Sequence, residues 1–204
     1  MSVRGKPAAG RAATAWLLLA LAAVAALPLS VAPAMAAAAR PSRAVRRELD
    51  RDEALLRLQL ISLPDGSGVD IEREPERVTL RIPAPLLFEP DSADVKSEAV
   101  HSVALAATVT LLKRRPSLAA RISVYSDSIG GAASNQGFTE ARAQHLRALL
   151  SSVGIATVRL DGHGGGQSLP MAANDTPEAR SLNRRVEIEF APQGAVRLGP
   201  AAAP

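Results

Sequence analysis

Cysteine is absent from the 204 residues. Its absence rules out disulfides, thiolate nucleophiles and cysteine-ligated metals, and leaves no cysteine for N-terminal lipidation. Aromatic side chains amount to 2%, with one tryptophan (Trp16) and one tyrosine (Tyr125). Hydrophobic residues still make up 47%, so a core can form, built from Ala, Val, Leu and Ile. An excess of one charge is also missing once the N-terminus is set aside. The formal net charge is +4, but Arg4, Lys6 and Arg11 are the only charged residues in the first 36. The remainder carries 21 basic against 20 acidic residues. Nucleic acid is therefore not an expected partner, because no clustered basic surface remains to neutralise phosphates.

What is present begins with an export pattern. The three basic residues precede a continuously apolar run from Trp16 to Leu27, Pro28 breaks that run, and Ala34-Met35-Ala36 places small residues at a cleavage site. The run is shorter than the roughly 20 residues a membrane-spanning helix needs. Residues 1–36 read as a signal peptide cleaved after Ala36, with an uncleaved anchor as the competing reading. Residues 37–76 read as a linker and short N-terminal segment, with helical spacing from Glu48 to Leu60. Residues 77–191 read as the folded domain, and 192–204 as a disordered, Pro-bearing tail.

Within 77–191 strands alternate with helices. Val78–Ile82 alternates apolar with polar, as do Arg121–Tyr125 and Arg185–Phe190. Glu98–Arg114 and Ala141–Val153 carry apolar residues at helical spacing; Pro116 stops the first, and Gly154 caps the second. Val158–Leu160 reads as a short strand, and Thr176-Pro177 as the start of a short helix. The order predicts an α+β fold with helices packed on one face of a sheet.

Two charged residues stand out against this pattern. Arg142 precedes Leu146, Leu149 and Val153 at intervals that put it on or beside the buried face of its helix. Asp127 follows a central strand and opens the glycine-bearing loop Ser126-Asp127-Ser128-Ile129-Gly130-Gly131. The two can pair with each other as a structural ion pair, or each can face a ligand that carries both charges. Spacing alone leaves both readings open.

The ordered set Ser126-Asp127-Ser128-Ile129-Gly130, Asn135, Ala141-Arg142-Ala143, Asn174-Asp175 and Leu182-Asn183-Arg184-Arg185-Val186-Glu187-Ile188 resembles the OmpA-like C-terminal domain family. Leu87-Phe88-Glu89-Pro90-Asp91-Ser92-Ala93 is similar to that family's opening strand and loop, and Gly162-His163-Gly164 to its turn after the third strand. The resemblance spans about Arg77 to Phe190. It implies a βαβαβ-type fold with a mixed sheet, and non-covalent binding of peptidoglycan through the meso-diaminopimelate of its stem peptide. Asp127 and Arg142 match the family's ligand clamp and Asn135 a position near the ligand; Asp91, Asn183 and Arg185 are further carry-overs. Val124-Tyr125-Ser126 departs from the usual Gly-His-Thr, and Phe138-Thr139 from Leu-Ser. No cofactor is implied. An envelope protein partner is compatible with the family, as is an alternative role as an inner-membrane-anchored, stator-like subunit. Localisation is expected to be periplasmic, with an outer-membrane association open.

Enzymatic alternatives fare poorly. His163-Gly164-Gly165-Gly166 has the form of an esterase oxyanion-hole segment, yet no Gly-x-Ser-x-Gly elbow accompanies it. His101, His145 and His163 are isolated, so no metal set is expected, and Glu187 with Glu189 reads as a solvated face. Cleavage after Ala36 would remove the only tryptophan. The exported protein is expected to begin at Ala37 and to show no tryptophan emission; N-terminal sequencing and fluorescence of the exported fraction check this.

Overall fold

The computed structural model describes residues 41–195. The expected signal peptide and the last nine residues lie outside the described residues. Among the described residues, no helix is long and apolar enough to cross a membrane.

Among the described residues, four helices and five strands follow in the order α1 (Arg43–Leu60), β1 (Asp70–Arg73), β2 (Val78–Pro83), α2 (Val103–Arg114), β3 (Leu118–Tyr125), α3 (Ala132–Ser152), β4 (Leu160–Gly166), α4 (Pro177–Asn183) and β5 (Arg185–Pro192). Single turns of 3-10 helix occupy Ala84–Leu86, Ser97–His101 and Thr157–Arg159. The strands form one open sheet in the order β1-β2-β5-β3-β4, antiparallel except for the β3–β4 pair. The expected mixed α+β architecture is present.

The period of two in the strands sorts the sheet into two faces. Leu80, Ile188, Ile122 and Gly162 lie in register across four strands, as do Ile82, Val186, Val124 and Gly164. The apolar side chains of these rows are buried and form the core with α2 and α3. The other face carries ion pairs: across strands, Arg81 meets Glu72 and Glu187 and Arg121 meets Asp161 at 3.2 Å, and along β5 Arg185 meets Glu187 at 2.7 Å. The partly exposed pairs of Arg81 and Arg121 each contribute at most about 1 kcal/mol, whereas Arg185 is buried.

Several boundaries differ from the sequence expectation, each for a local reason. The first helix starts at Arg43 rather than Glu48, because the Ser42 hydroxyl accepts a hydrogen bond from Val45 N and caps it. This helix buries Leu49 and Leu56 in the common core, and β1 pairs with β2, so the described part of 37–76 is integrated in the fold rather than a bare linker. The helix expected over 98–114 is interrupted at Ser102, which caps α2 by accepting from Leu105 N.

The largest correction concerns β4. The short strand expected at Val158–Leu160 is mostly a 3-10 turn, and Gly162-His163-Gly164, expected as a turn, lies inside the strand. The glycines are there because α3 crosses at backbone distance. A Cβ on Gly164 would collide with the backbone of Glu140, and one on Gly162 would lie 3.0 Å from Ala143 O. A strand glycine of this kind marks the close approach of another backbone. The run that imitates an oxyanion-hole segment is thus a helix–strand contact. Gly164→Ala is expected to push α3 off the sheet and to lower stability by about 2–3 kcal/mol, the scale of overpacking in a filled core, as read by urea unfolding.

Candidate ligand-binding site

Where β3 ends, the loop 126–131, the first half of α3, the segment after β2 and the last turn of α4 enclose a cavity of about 550 Å³. This size falls within the range of small-molecule sites. Asp127, Asn135, Arg142 and Asp91 all line it; Asn183 and Arg185 are not among its lining residues.

Asp127 is buried at the end of β3, where Ser126 N still donates to Gly166 O at 2.7 Å. Its Oδ1 accepts from Ile129 N at 3.0 Å, the short side-chain-to-backbone bond by which an aspartate shapes a turn. Asn135, on the first turn of α3, locks the same loop. Its Nδ2 donates to Asp127 O at 3.2 Å and Ile129 O at 3.0 Å. Gly130 permits the turn with a φ of 92°, a conformation costly for other residues.

Arg142 lies two turns along α3. Its guanidinium sits between two phenyl rings, 4.6 Å from the Phe88 centroid and 4.1 Å from that of Phe138. Nε donates to Ser92 O at 2.8 Å and Nη2 to Glu89 O at 3.2 Å. Burial pushes its pKa down, with Asp91 acting in the opposite direction; an arginine so placed remains charged. The ring contacts are of cation–π type, and together with the carbonyl bonds they hold the segment 88–92 against α3. Asp91 sits on that segment at a φ of 50°, which aspartate tolerates better than most residues.

The structural pair left open between Asp127 and Arg142 does not form. Asp127 Oδ2 is met by Arg184 Nη1 at 2.6 Å instead. Arg184, Arg180 and Lys96 also line the cavity and were not among the expected site residues. For Arg184 a signal existed: it shares the parity of Val186, Ile188 and Phe190, an apolar row in which an arginine needs a partner. For Lys96 no pattern in the sequence pointed inward.

Asn183 is fully buried and uses its whole side-chain amide on the loop before α4. Oδ1 accepts from Met171 N and Ala172 N, and Nδ2 donates to Ala172 O and Asn174 Oδ1. Asn174 Oδ1 in turn accepts from Ser128 N at 3.2 Å, so Asn183 supports the Asp127 loop from one residue further out. Arg185 lies over the Tyr125 ring at 4.0 Å and bonds Glu187 on the charged face of the sheet.

Residues 87–184 match the OmpA family model. The chain is 34% identical over 132 residues to "Outer membrane protein A" of Bordetella avium, covering 63% of this chain and 68% of that protein. The chain belongs to the OmpA family. Another relative, "Probable lipoprotein YiaD" of Escherichia coli K12, is 32% identical over 144 residues, covering 71% of this chain and 63% of the relative. The chain therefore spans less than two thirds of that relative's length. Among solved structures, one titled as the cell wall anchor of the T6SS from Pseudomonas aeruginosa superposes with a TM-score of 0.60 at 27% identity, covering 68% of this chain and 97% of that one.

Tyr125, the departure from the usual family histidine, gives this OmpA-family site a reporter. Burial raises its pKa first and nearby Glu187 second, while Ser123 and Arg185 act against them. A raised folded value means that the native state binds the phenolic proton more tightly. Stability is then fully present below the unfolded value of about 10 and is lost as pH rises through the folded value. Because Tyr125 is the only tyrosine, tyrosinate absorbance is expected to appear at higher pH in the native protein than in urea. Native stability should fall above about pH 10.

Proposed function

We propose that this chain binds peptidoglycan without cleaving it, through the diaminopimelate-type stem peptide, and so anchors or stabilises the cell envelope. The observation that carries this reading is that one cavity holds a buried carboxylate, Asp127, and a half-buried guanidinium, Arg142, beside apolar walls. A free amino-acid end, carrying ammonium and carboxylate together, is the chemistry such a site suits. An aspartate can take the ammonium and an arginine the carboxylate. Asn135 and Asp91 complete the wall, while Asn183 and Arg185 act by holding loop and sheet. The naming of the Pseudomonas aeruginosa structure as a cell wall anchor supports the same reading.

An exported, periplasmic protein associated with the outer membrane is the placement we favour. The relatives reported above are named as a lipoprotein and as an outer membrane protein, which supports this placement over the stator-like alternative. A protein partner in the envelope would be additional to the wall contact. The binder reading excludes hydrolysis, so release of soluble muropeptides from purified sacculi would overturn it.

Asp127→Ala and Arg142→Ala are each expected to weaken co-sedimentation with sacculi by about 30-fold or more. Truncating one member of a buried charged contact costs at least about 2 kcal/mol. Circular dichroism should show both variants folded, and undiminished co-sedimentation of both would refute the assignment.

A further inference from the structure

Both oxygens of the Asp127 carboxylate are already engaged. Oδ1 accepts from Ile129 N at 3.0 Å, and Oδ2 is held by Arg184 Nη1 at 2.6 Å. The Arg184 side chain is 40% exposed while that of Asp127 is 10% exposed, so the arginine covers the carboxylate from the solvent side. The two cavity arginines are held differently. Arg142 is fixed by two backbone carbonyls and two rings, whereas the recorded partner of the Arg184 guanidinium is Asp127. An incoming ammonium that approaches from the solvent side therefore meets an internal cation first. If the ligand brings only an amine, Arg184 loses its counter-charge and gains nothing. If it brings an ammonium with a carboxylate beside it, the freed guanidinium finds a new anion in the same cavity.

We propose that Arg184 occupies, in the free protein, the place that a ligand ammonium takes, and that it then turns to share the ligand's adjacent carboxylate with Arg142. Binding becomes an exchange of one internal ion pair for two ligand contacts. This makes Arg184 a specificity-determining residue that selects zwitterionic ends over simple amines. The inference rests on the wall-binding reading and adds to it a reason for rejecting stem peptides that end in a plain amine. Its physical basis is that the buried Asp127 keeps a cation throughout, whereas the half-exposed Arg184 recovers an anion in the cavity only when the ligand brings a carboxylate.

The test is calorimetric titration of the full chain with two synthetic stem tripeptides, identical except that the third residue is meso-diaminopimelate in one and lysine in the other. They differ by one carboxylate next to the terminal ammonium. Wild type is expected to favour the diaminopimelate peptide by about tenfold or more, the scale of a carboxylate–guanidinium contact. In Arg184→Gln the diaminopimelate peptide should weaken, while the lysine peptide should bind more tightly than it does to wild type, because its competitor for Asp127 is gone. A merely structural arginine would not produce that gain. Arg184→Lys keeps a cation for Asp127 and should leave the lysine peptide at its wild-type affinity, which serves if the glutamine variant does not fold. Equal weakening of both peptides in Arg184→Gln, or an unchanged ratio, would overturn the inference and leave the wall-binding reading standing. Failure of wild type to bind either peptide would overturn both.

Discussion

The seating of α3 on β4 positions everything else in this domain. β4 is an edge strand, and an uncovered edge presents a row of unpaired backbone groups. In a parallel strand, alternate residues point both N–H and C=O to the same side, and here the outward set is Leu160, Gly162 and Gly164; at Gly166, where the register shifts, the N–H turns outward while the carbonyl still accepts from Ser126 N. Side chains of α3 meet them in turn: Arg147 at Leu160 O, Gln144 at Gly162 O, Gln136 at Gly164 O, Glu140 at Gly164 N and Thr139 at Gly166 N. The helix thereby replaces the missing sixth strand. The glycines admit its backbone, and its long polar residues reach past the strand rather than into solvent.

That seating has a consequence at the helix's other edge. Once α3 is fixed on β4, Asn135 falls against the loop at the end of β3, and Arg142 falls against the segment after β2. Three pieces of chain, far apart in sequence, are then tied at one end of the sheet. The loop carrying Asp127 is held by Asn135 from one side and by the Asn183–Asn174–Ser128 relay from the other. Buried amides suit this work, because one side chain can satisfy carbonyls and N–H groups together that would otherwise lie unpaired. The site is preorganised around Asp127, while its counter-charge from Arg184 stays half exposed.

Much of this architecture was legible in the residues. The alternation in β2, β3 and β5, the helical spacing around Leu146 and Leu150, and the Thr176-Pro177 start all reflect apolar side chains that must share one face. The first half of α3 was not legible, because Asn135 and Thr139 are buried there for hydrogen bonding and give no apolar stripe. Nor was β4, whose core-facing positions are glycines that read as a turn. In both places a polar or missing side chain answers to a neighbour distant in the chain, and no local period records it.

The sequence by itself determined the α+β class, the inward position of Arg142 and the strand-end position of Asp127, because periodicity is a local property. Its motif order also carried the family. Only the tertiary structure decided which charge meets which. Asp127 pairs with Arg184, 57 residues away in the chain, and Arg142 turns to two rings and two carbonyls. Ion pairing depends on distances of a few ångströms between elements brought together by the sheet order, and spacing along the chain does not encode those distances.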